Sequence, residues 1–148
     1  MNVSVREAHE GDYLAIGNLI KNELGYEDLD FSSLFIKLEK MKADDSHITY
    51  VAVIDTLVVG FIGLLKYFTY ELENGYLRIL AMAVSQELQN KGIGRVLLRQ
   101  AEQFAVENNI DHIMLTSNMK RLDAHVFYEH NDYIKKSYGF FRTLTDSN

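Results

Sequence analysis

Ala81-Met-Ala-Val-Ser-Gln-Glu-Leu-Gln-Asn-Lys-Gly-Ile-Gly94 is the stretch on which the reading of this chain turns. The run that leads into it, Tyr76–Val84, is almost continuously apolar, as a central strand covered on both faces should be. The run that leaves it, Gly92–Asn108, has a helical period. Ile93, Val96, Leu97, Ala101, Phe104 and Ala105 fall into one stripe, which predicts an amphipathic helix buried along that line. A strand therefore ends, a glycine-bearing turn follows, and a helix N-terminus opens. The first N–H groups of a helix lack intrahelical acceptors and carry partial positive charge, so they can hold an anion. Gly92 and Gly94 permit close approach, and Lys91 and Arg95 add charge at the same mouth. A pyrophosphate would fit. A lone Gly-x-Gly is more often merely a tight turn, because short glycine motifs are common. Two other phosphate motifs fail on spacing: a dinucleotide fingerprint needs a glycine where Leu97 stands, and no Gly-Lys-Ser/Thr of a P-loop occurs.

Outward from this core the elements alternate. Val3–Ala8 reads as an opening strand. Asp12 offers an N-cap for a helix carrying Leu14, Ile16, Leu19, Ile20 and Leu24 and stopped by Gly25. A second helix is expected over Ser32–Met41. Thr49–Ile54 and Leu57–Lys66, parted by Asp55-Thr56, predict a hairpin. After the long helix come strand His112–Ser117, helix Leu122–Glu129, and two short strands near Tyr133–Lys136 and Tyr138–Leu144. This order implies a mixed α/β (α+β) sheet with helices on both faces.

Composition sets the outer bounds. The 148 residues suit a single domain, 1–148, with no linker, repeat or low-complexity tract. A formal charge of −6 argues against a protein that tracks nucleic-acid phosphates, so no nucleic-acid partner is expected. With no cysteine, disulfides, thiolate metal sites and cysteine nucleophiles are excluded. No apolar run is long enough to span a membrane, and Met1–Glu10 is too polar for a signal peptide, so the expected location is cytoplasmic.

Gln89-x-x-Gly92-x-Gly94, between an apolar strand and an amphipathic helix, resembles the coenzyme A motif of the GNAT N-acetyltransferases. About thirty residues on, Ala124-His-Val-Phe-Tyr-Glu129 resembles the Ala-His-x-Phe-Tyr-Glu segment of the same family. The resemblance implies the GNAT fold over nearly the whole chain: a central, mostly antiparallel sheet of six to seven strands, splayed after the fourth, with about four helices. It implies acetyl-CoA as donor and a primary amine of a small molecule as acceptor, attacked directly without an acyl-enzyme. Met82, Ala83 and Val84 would pair with the pantetheine arm, and a backbone N–H, that of Val84, would face the thioester oxygen. Gln89, Asn90, Lys91, Gly92, Ile93, Gly94 and Arg95 would wrap the pyrophosphate. Asn118 would bond the pantetheine arm, and Tyr128 would direct its hydroxyl at the thioester sulfur as general acid. A homodimer built on the late strands is a further implication.

Some positions depart from the family pattern. Many relatives place a carboxylate base where this chain has Arg78, which alternation puts on the face of Leu80, Met82 and Val84 and which stays protonated near neutral pH. Glu71 and Glu73 are alternative bases, or plain solvated acids. Tyr26, Glu71, Glu73 and Arg78 form the expected acceptor-binding set. The acidic and aromatic residues around Tyr26 and Tyr70 suit a cationic amine, such as a polyamine or an aminoglycoside. Against that, Leu115–His125 is similar to aminoalkylphosphonate acetyltransferases, with Arg78, Lys120 and Arg121 available to an anion. His125 and Glu129 have metal-ligand spacing but no third ligand follows, so no metal is expected. Two other readings stand beside the small-molecule enzyme: a protein or peptide N-acetyltransferase, and a non-catalytic acyl-CoA-binding sensor that would be free to lose Tyr128 and Asn118.

Overall fold

Five strands and four helices occupy residues 1–145, the residues described by this computed structural model. In chain order they are β1 (Val3–Glu7), α1 (Tyr13–Glu23), α2 (Phe31–Lys42), β2 (His47–Ile54), β3 (Leu57–Tyr67), β4 (Tyr76–Val84), α3 (Ile93–Glu107), β5 (Ile113–Met114) and α4 (Leu122–His130). Short 3-10 turns cover Glu10–Asp12 and Gln86–Leu88. Two compact units result. Met1–Leu115 holds the sheet with α1, α2 and α3, and the second unit begins at Thr116 and holds α4.

The sheet order is β1-β2-β3-β4-β5, antiparallel up to β4. β5 joins β4 in parallel, and only at Leu77↔Ile113 and Arg78↔Met114. The expected strands Tyr133–Lys136 and Tyr138–Leu144 do not form, so among the described residues the sheet has five strands and not six or seven. Alternation of apolar residues selects a face but supplies no neighbour, and a strand exists only through a neighbour's N–H and C=O groups. Here Ile134, Tyr138, Phe140, Phe141 and Leu144 are exposed. β5 is likewise shorter than the expected His112–Ser117.

Helices cover both faces of the sheet. On one, Tyr13, Ile16 and Leu19 of α1 and Leu34 and Leu38 of α2 pack on Val51, Val53, Phe61 and Ala83. Gly17 admits the Phe31 ring there, since a Cβ would sit 2.5 Å from it. On the other face, α3 buries Ile93, Leu97, Leu98, Ala101 and Ala105, and Phe104 meets Tyr50 edge-on at 6.4 Å. Leu98 thus belongs to the stripe and Val96 does not, because burial against the sheet favours the i, i+4, i+5 line of this helix. In α1, Leu14 points to solvent and Tyr13 takes the core place instead.

Asp12 does not cap α1 with its side chain. Its buried carboxylate takes both Arg6 guanidinium nitrogens, at 2.7 and 2.9 Å, and the His9 N–H at 2.9 Å. The bidentate geometry outbids a single helix N–H. The hairpin turn at Asp55-Thr56 is as expected, with Ile54 opposite Leu57 and Asp55 at φ +56°.

One irregularity repositions a site residue. Ala81 pairs with Gly63 and Ile79 with Leu64, so Leu80 is an extra residue bulged out of β4. Directly paired residues share a face. Met82 and Val84, opposite Ile62 and Gly60, therefore lie on the α3 side. Arg78, opposite Leu65, lies on the α1/α2 side with Ala81 and Ala83. The expected grouping of Arg78 with Leu80, Met82 and Val84 is corrected by the bulge, which inverts the alternation upstream of it.

Candidate acyl-transfer site

β4 changes character along its length. At its start it has β3 on one side and β5 on the other, and Leu77 N–H donates to the His112 carbonyl at 3.0 Å. From Ile79 to Val84 only β3 pairs with it among the described residues. Ser85 N–H donates to the Val59 carbonyl of β3 at 2.8 Å. By alternation the backbone groups of Ala83 also face β3, while those of Met82 and Val84 face the open side. The Val84 carbonyl shows this directly, since it accepts the Gln89 side-chain amide at 3.1 Å.

Beyond the edge, the turn to α3 is built on left-handed residues, Asn90 at φ +64° and Gly92 at φ +86°. Gly92 is the N-cap of α3 and offers no side chain to its first N–H groups. A Cβ at Gly92 would meet nothing within 4 Å, so the space in front of the helix is open. Lys91 and Arg95 are exposed on either side, while Ile93 is buried and anchors the helix start. Residues Gln89–Arg95 thus come together as one basic, uncapped helix entrance, continuous with the open strand edge. A pyrophosphate and an extended arm fit these two features in sequence.

The second unit holds Asn118 and Tyr128. The Asn118 side-chain oxygen accepts the Lys120 N–H at 2.9 Å, and its carbonyl lies 2.8 Å from His125 Nε2. His125 therefore steadies the entry to α4. Tyr128 is half-buried between Phe127 and Tyr133, with ring centroids 5.3 and 5.9 Å away and both pairs edge-on. Burial raises the Tyr128 phenol above its ordinary pKa, and the charge of Arg121 offsets part of that. The hydroxyl is therefore a donor throughout the neutral range. α4 ends where Asn131 bonds the Phe127 carbonyl at 2.8 Å and Asp132 takes φ +72°, doing here what a glycine would do.

The acceptor candidates divide. Tyr26 is exposed on the α1–α2 connection. Glu71 and Glu73 lie on the β3–β4 connection, which leads into the opposite end of β4 from Gln86. Glu71 is held below the usual carboxylate range, first by a backbone N–H and further by the charge of His112, which together outweigh desolvation. These contacts make it a weaker base than an ordinary glutamate. Arg78 is half-buried on the α1/α2 side.

Sequence reasoning passed over Glu23. It closes α1 and accepts the Gln86 N–H at 3.1 Å. A signal was present, because an acid in the last turn of a helix opposes the helix dipole and needs a reason.

Comparison with known proteins follows the same line. The sequence model of the acetyltransferase (GNAT) family matches residues 7–133. The aminoalkylphosphonate N-acetyltransferase of Salmonella typhimurium is 30% identical over 135 residues, covering 89% of this chain and 82% of that one. Among solved structures, a transcriptional regulator from Bacillus halodurans C-125 superposes with a TM-score of 0.86 at 25% identity, over 97% of this chain and 100% of that chain. AAC(6')-Iy, in complex with the bisubstrate analogue CoA-S-monomethyl-acetylneamine, has a TM-score of 0.84 at 11% identity, over 98% and 100% of the two chains.

Proposed function

We propose that this chain, which belongs to the acetyltransferase (GNAT) family, moves the acetyl group of acetyl-CoA to the primary amine of a small molecule. The observation that carries the reading is the open half of β4 running into the uncapped start of α3. The names of two similar proteins and their ligands point to small amines as acceptors, an aminoalkylphosphonate in one and a CoA-linked acetylneamine in the other. No helix of the described residues is long and apolar enough to cross a membrane. The same reading keeps the protein in the cytoplasm and gives the exposed apolar residues of 134–144 to a homodimer contact.

Each residue then has a task. Acetyl-CoA supplies the activated carbonyl and the thiolate leaving group. Met82 offers its open-edge N–H and C=O groups to the pantetheine arm, while Ala83 keeps its backbone in the sheet and the Val84 carbonyl stays with the Gln89 amide. The amine nitrogen bonds to the carbonyl carbon as the carbon–sulfur bond breaks, and charge builds on the oxygen. The Val84 N–H meets that charge; one preorganised donor of this kind is worth about 3 kcal/mol. Gln89 to Arg95 neutralise the diphosphate, and Asn118 holds the arm with its amide nitrogen. Tyr128 donates its hydroxyl to the departing sulfur. A thiol titrates near ~8.5 and a phenol near ~10, so a hydrogen bond suffices and full proton transfer is not required. Arg78 cannot take the ammonium proton, and Glu71 is a weak base, so the amine enters neutral or loses its proton to water.

The test is thermal unfolding with and without acetyl-CoA, with NAD as control nucleotide. At 100 times its dissociation constant, a ligand adds ~2.7 kcal/mol. The midpoint should rise by several degrees with acetyl-CoA alone, and amines should then release free thiol. No rise would overturn the cofactor assignment. Binding without thiol release from any amine or peptide would make the protein a sensor, and release with peptides alone would make it a protein acetyltransferase.

A further inference from the structure

The cofactor turn is tied to a residue 63 positions away in the chain. One oxygen of the half-buried Glu23 carboxylate accepts the Gln86 backbone N–H at 3.1 Å. The other lies 3.5 Å from the Gln89 side-chain nitrogen, which donates to the Val84 carbonyl at 3.1 Å. Glu23, Gln86, Gln89 and Val84 thus link the end of α1, the 3-10 turn, the first residue of the glycine motif and the last residue of β4. The carboxylate fixes the Gln89 amide as a donor and anchors the turn between strand edge and helix entrance. It also brings negative charge toward a place read as holding a diphosphate, so two opposed effects meet in one side chain.

Resting on the acetyl-CoA reading of this same site, we propose that Glu23 is a positioning residue for the cofactor turn. Its acceptor oxygens hold Gln86 and Gln89 where the strand edge and the helix entrance line up, and that benefit exceeds the repulsion of its charge. Because α1 continues through Leu24 and Gly25 into the connection that carries Tyr26, the same tie joins the cofactor turn to the α1–α2 connection.

The two effects separate in two variants, Glu23→Ala and Glu23→Gln, with acetyl-CoA binding measured by titration calorimetry. Alanine removes both acceptors, and acetyl-CoA should bind about five- to tenfold more weakly, the scale of one ordinary hydrogen bond. Glutamine keeps an acceptor for the Gln86 N–H, loses the one beside the Gln89 amide and removes the charge, so its loss of affinity should be clearly smaller than that of Glu23→Ala. The ligand-free unfolding midpoint should stay within about 2 °C of wild type in both, because the bond lies at the surface. Unchanged affinity in Glu23→Ala would overturn the proposal. So would a loss of affinity in Glu23→Gln equal to that in Glu23→Ala, or a fall in the ligand-free midpoint that accounts for the whole change. Failure of the wild type to bind acetyl-CoA is a separate result. It would remove the cofactor reading, and this role with it.

Discussion

Helix α2 begins at Asp30, whose carboxylate accepts the Ser33 N–H at 3.2 Å, whereas α3 begins at Gly92, which has no side chain to offer. The first arrangement closes the helix start with a group from the chain itself. The second leaves N–H groups facing open space between Lys91 and Arg95. α1 is a third variant, since Asp12 stands at its N-cap position but gives its carboxylate to Arg6. A helix start needs an acceptor; when the chain withholds one and surrounds the gap with positive charge, an external anion is the natural partner. On the proposed reading, stability is served at α2 and binding at α3.

The strongest way to break this contrast is Gly92→Val, compared with Gly25→Val. Both glycines have φ above +80° and no atom within 4 Å of a new Cβ. A β-branched residue in either place carries the same backbone strain, about 1–2 kcal/mol. Only at Gly92 would the side chain enter the anion's space. Gly92→Val should abolish the acetyl-CoA-induced rise in unfolding midpoint, and Gly25→Val should keep it in full. Equal behaviour of the two would place the diphosphate elsewhere.

Tyr128→Phe sharpens the contrast from the chemical side. If the open helix start binds and Tyr128 assists the leaving sulfur, the variant should turn over about 100-fold more slowly at unchanged acetyl-CoA affinity. The wild-type rate should climb with pH as more amine is neutral. Because burial raises the Tyr128 pKa above that of an ordinary phenol, its proton stays in place through the neutral and mildly alkaline range, so no fall is expected there. A rate that declines from pH 8 upward would assign the acid limb to another group.

These contrasts were legible in the sequence to unequal degrees. The β4 limits, Tyr76 and Val84, follow from the apolar run itself, because both faces of that strand are covered along most of its length, Leu80 alone being exposed. Helix α3 follows from its period, and the glycine turn from its place between an apolar strand and that helix, since the pattern alone is also a common tight turn. The bulge at Leu80 left no mark, since an extra apolar residue in an apolar run looks like its neighbours, and the face of Arg78 was lost with it. The C-terminal strands failed for another reason: residues 133–144 alternate well enough, but pairing is a property of the rest of the sheet. The ties Arg6–Asp12 and Glu23–Gln86 were not legible either: an acid at a helix end signals that it needs a partner, but nothing local names the partner.

Asp12→Ala tests the α1 arrangement. It leaves Arg6 without its bidentate partner and should cost about 2 kcal/mol, less than a fully buried pair because the Arg6 side chain is 41% exposed. Burial works against the Asp12 carboxylate, but the Arg6 hydrogen bonds and charge together with the His9 N–H outweigh it and hold its pKa below the ordinary value. A depressed acid contributes stability above its unfolded pKa, near ~3.9, and loses it as pH falls through the lower folded value. Wild type should therefore lose its advantage over Asp12→Ala in urea unfolding below about pH 4. A gap that persists to pH 2 would mean that packing, and not charge, is what Asp12 supplies.

The smallest expected effect belongs to Asp30→Ala, and it completes the contrast. Removing a side-chain cap exposes one helix N–H to water and costs about 1 kcal/mol, which for a chain of this size moves the midpoint by roughly 4 °C. Acetyl-CoA affinity should not change, because α2 closes its own start and has no vacancy for an anion to fill. The variant also creates at α2 the condition found naturally at α3, an uncapped helix start. If openness alone made an anion site, Asp30→Ala would gain weak diphosphate binding. The residues around it, Glu27 and Asp28, are acidic where those of α3 are Lys91 and Arg95. A like-charged rim repels what a basic rim attracts. Titration of inorganic pyrophosphate into Asp30→Ala should therefore show no binding, and measurable affinity there would mean that the helix end, and not its charged surroundings, selects the ligand.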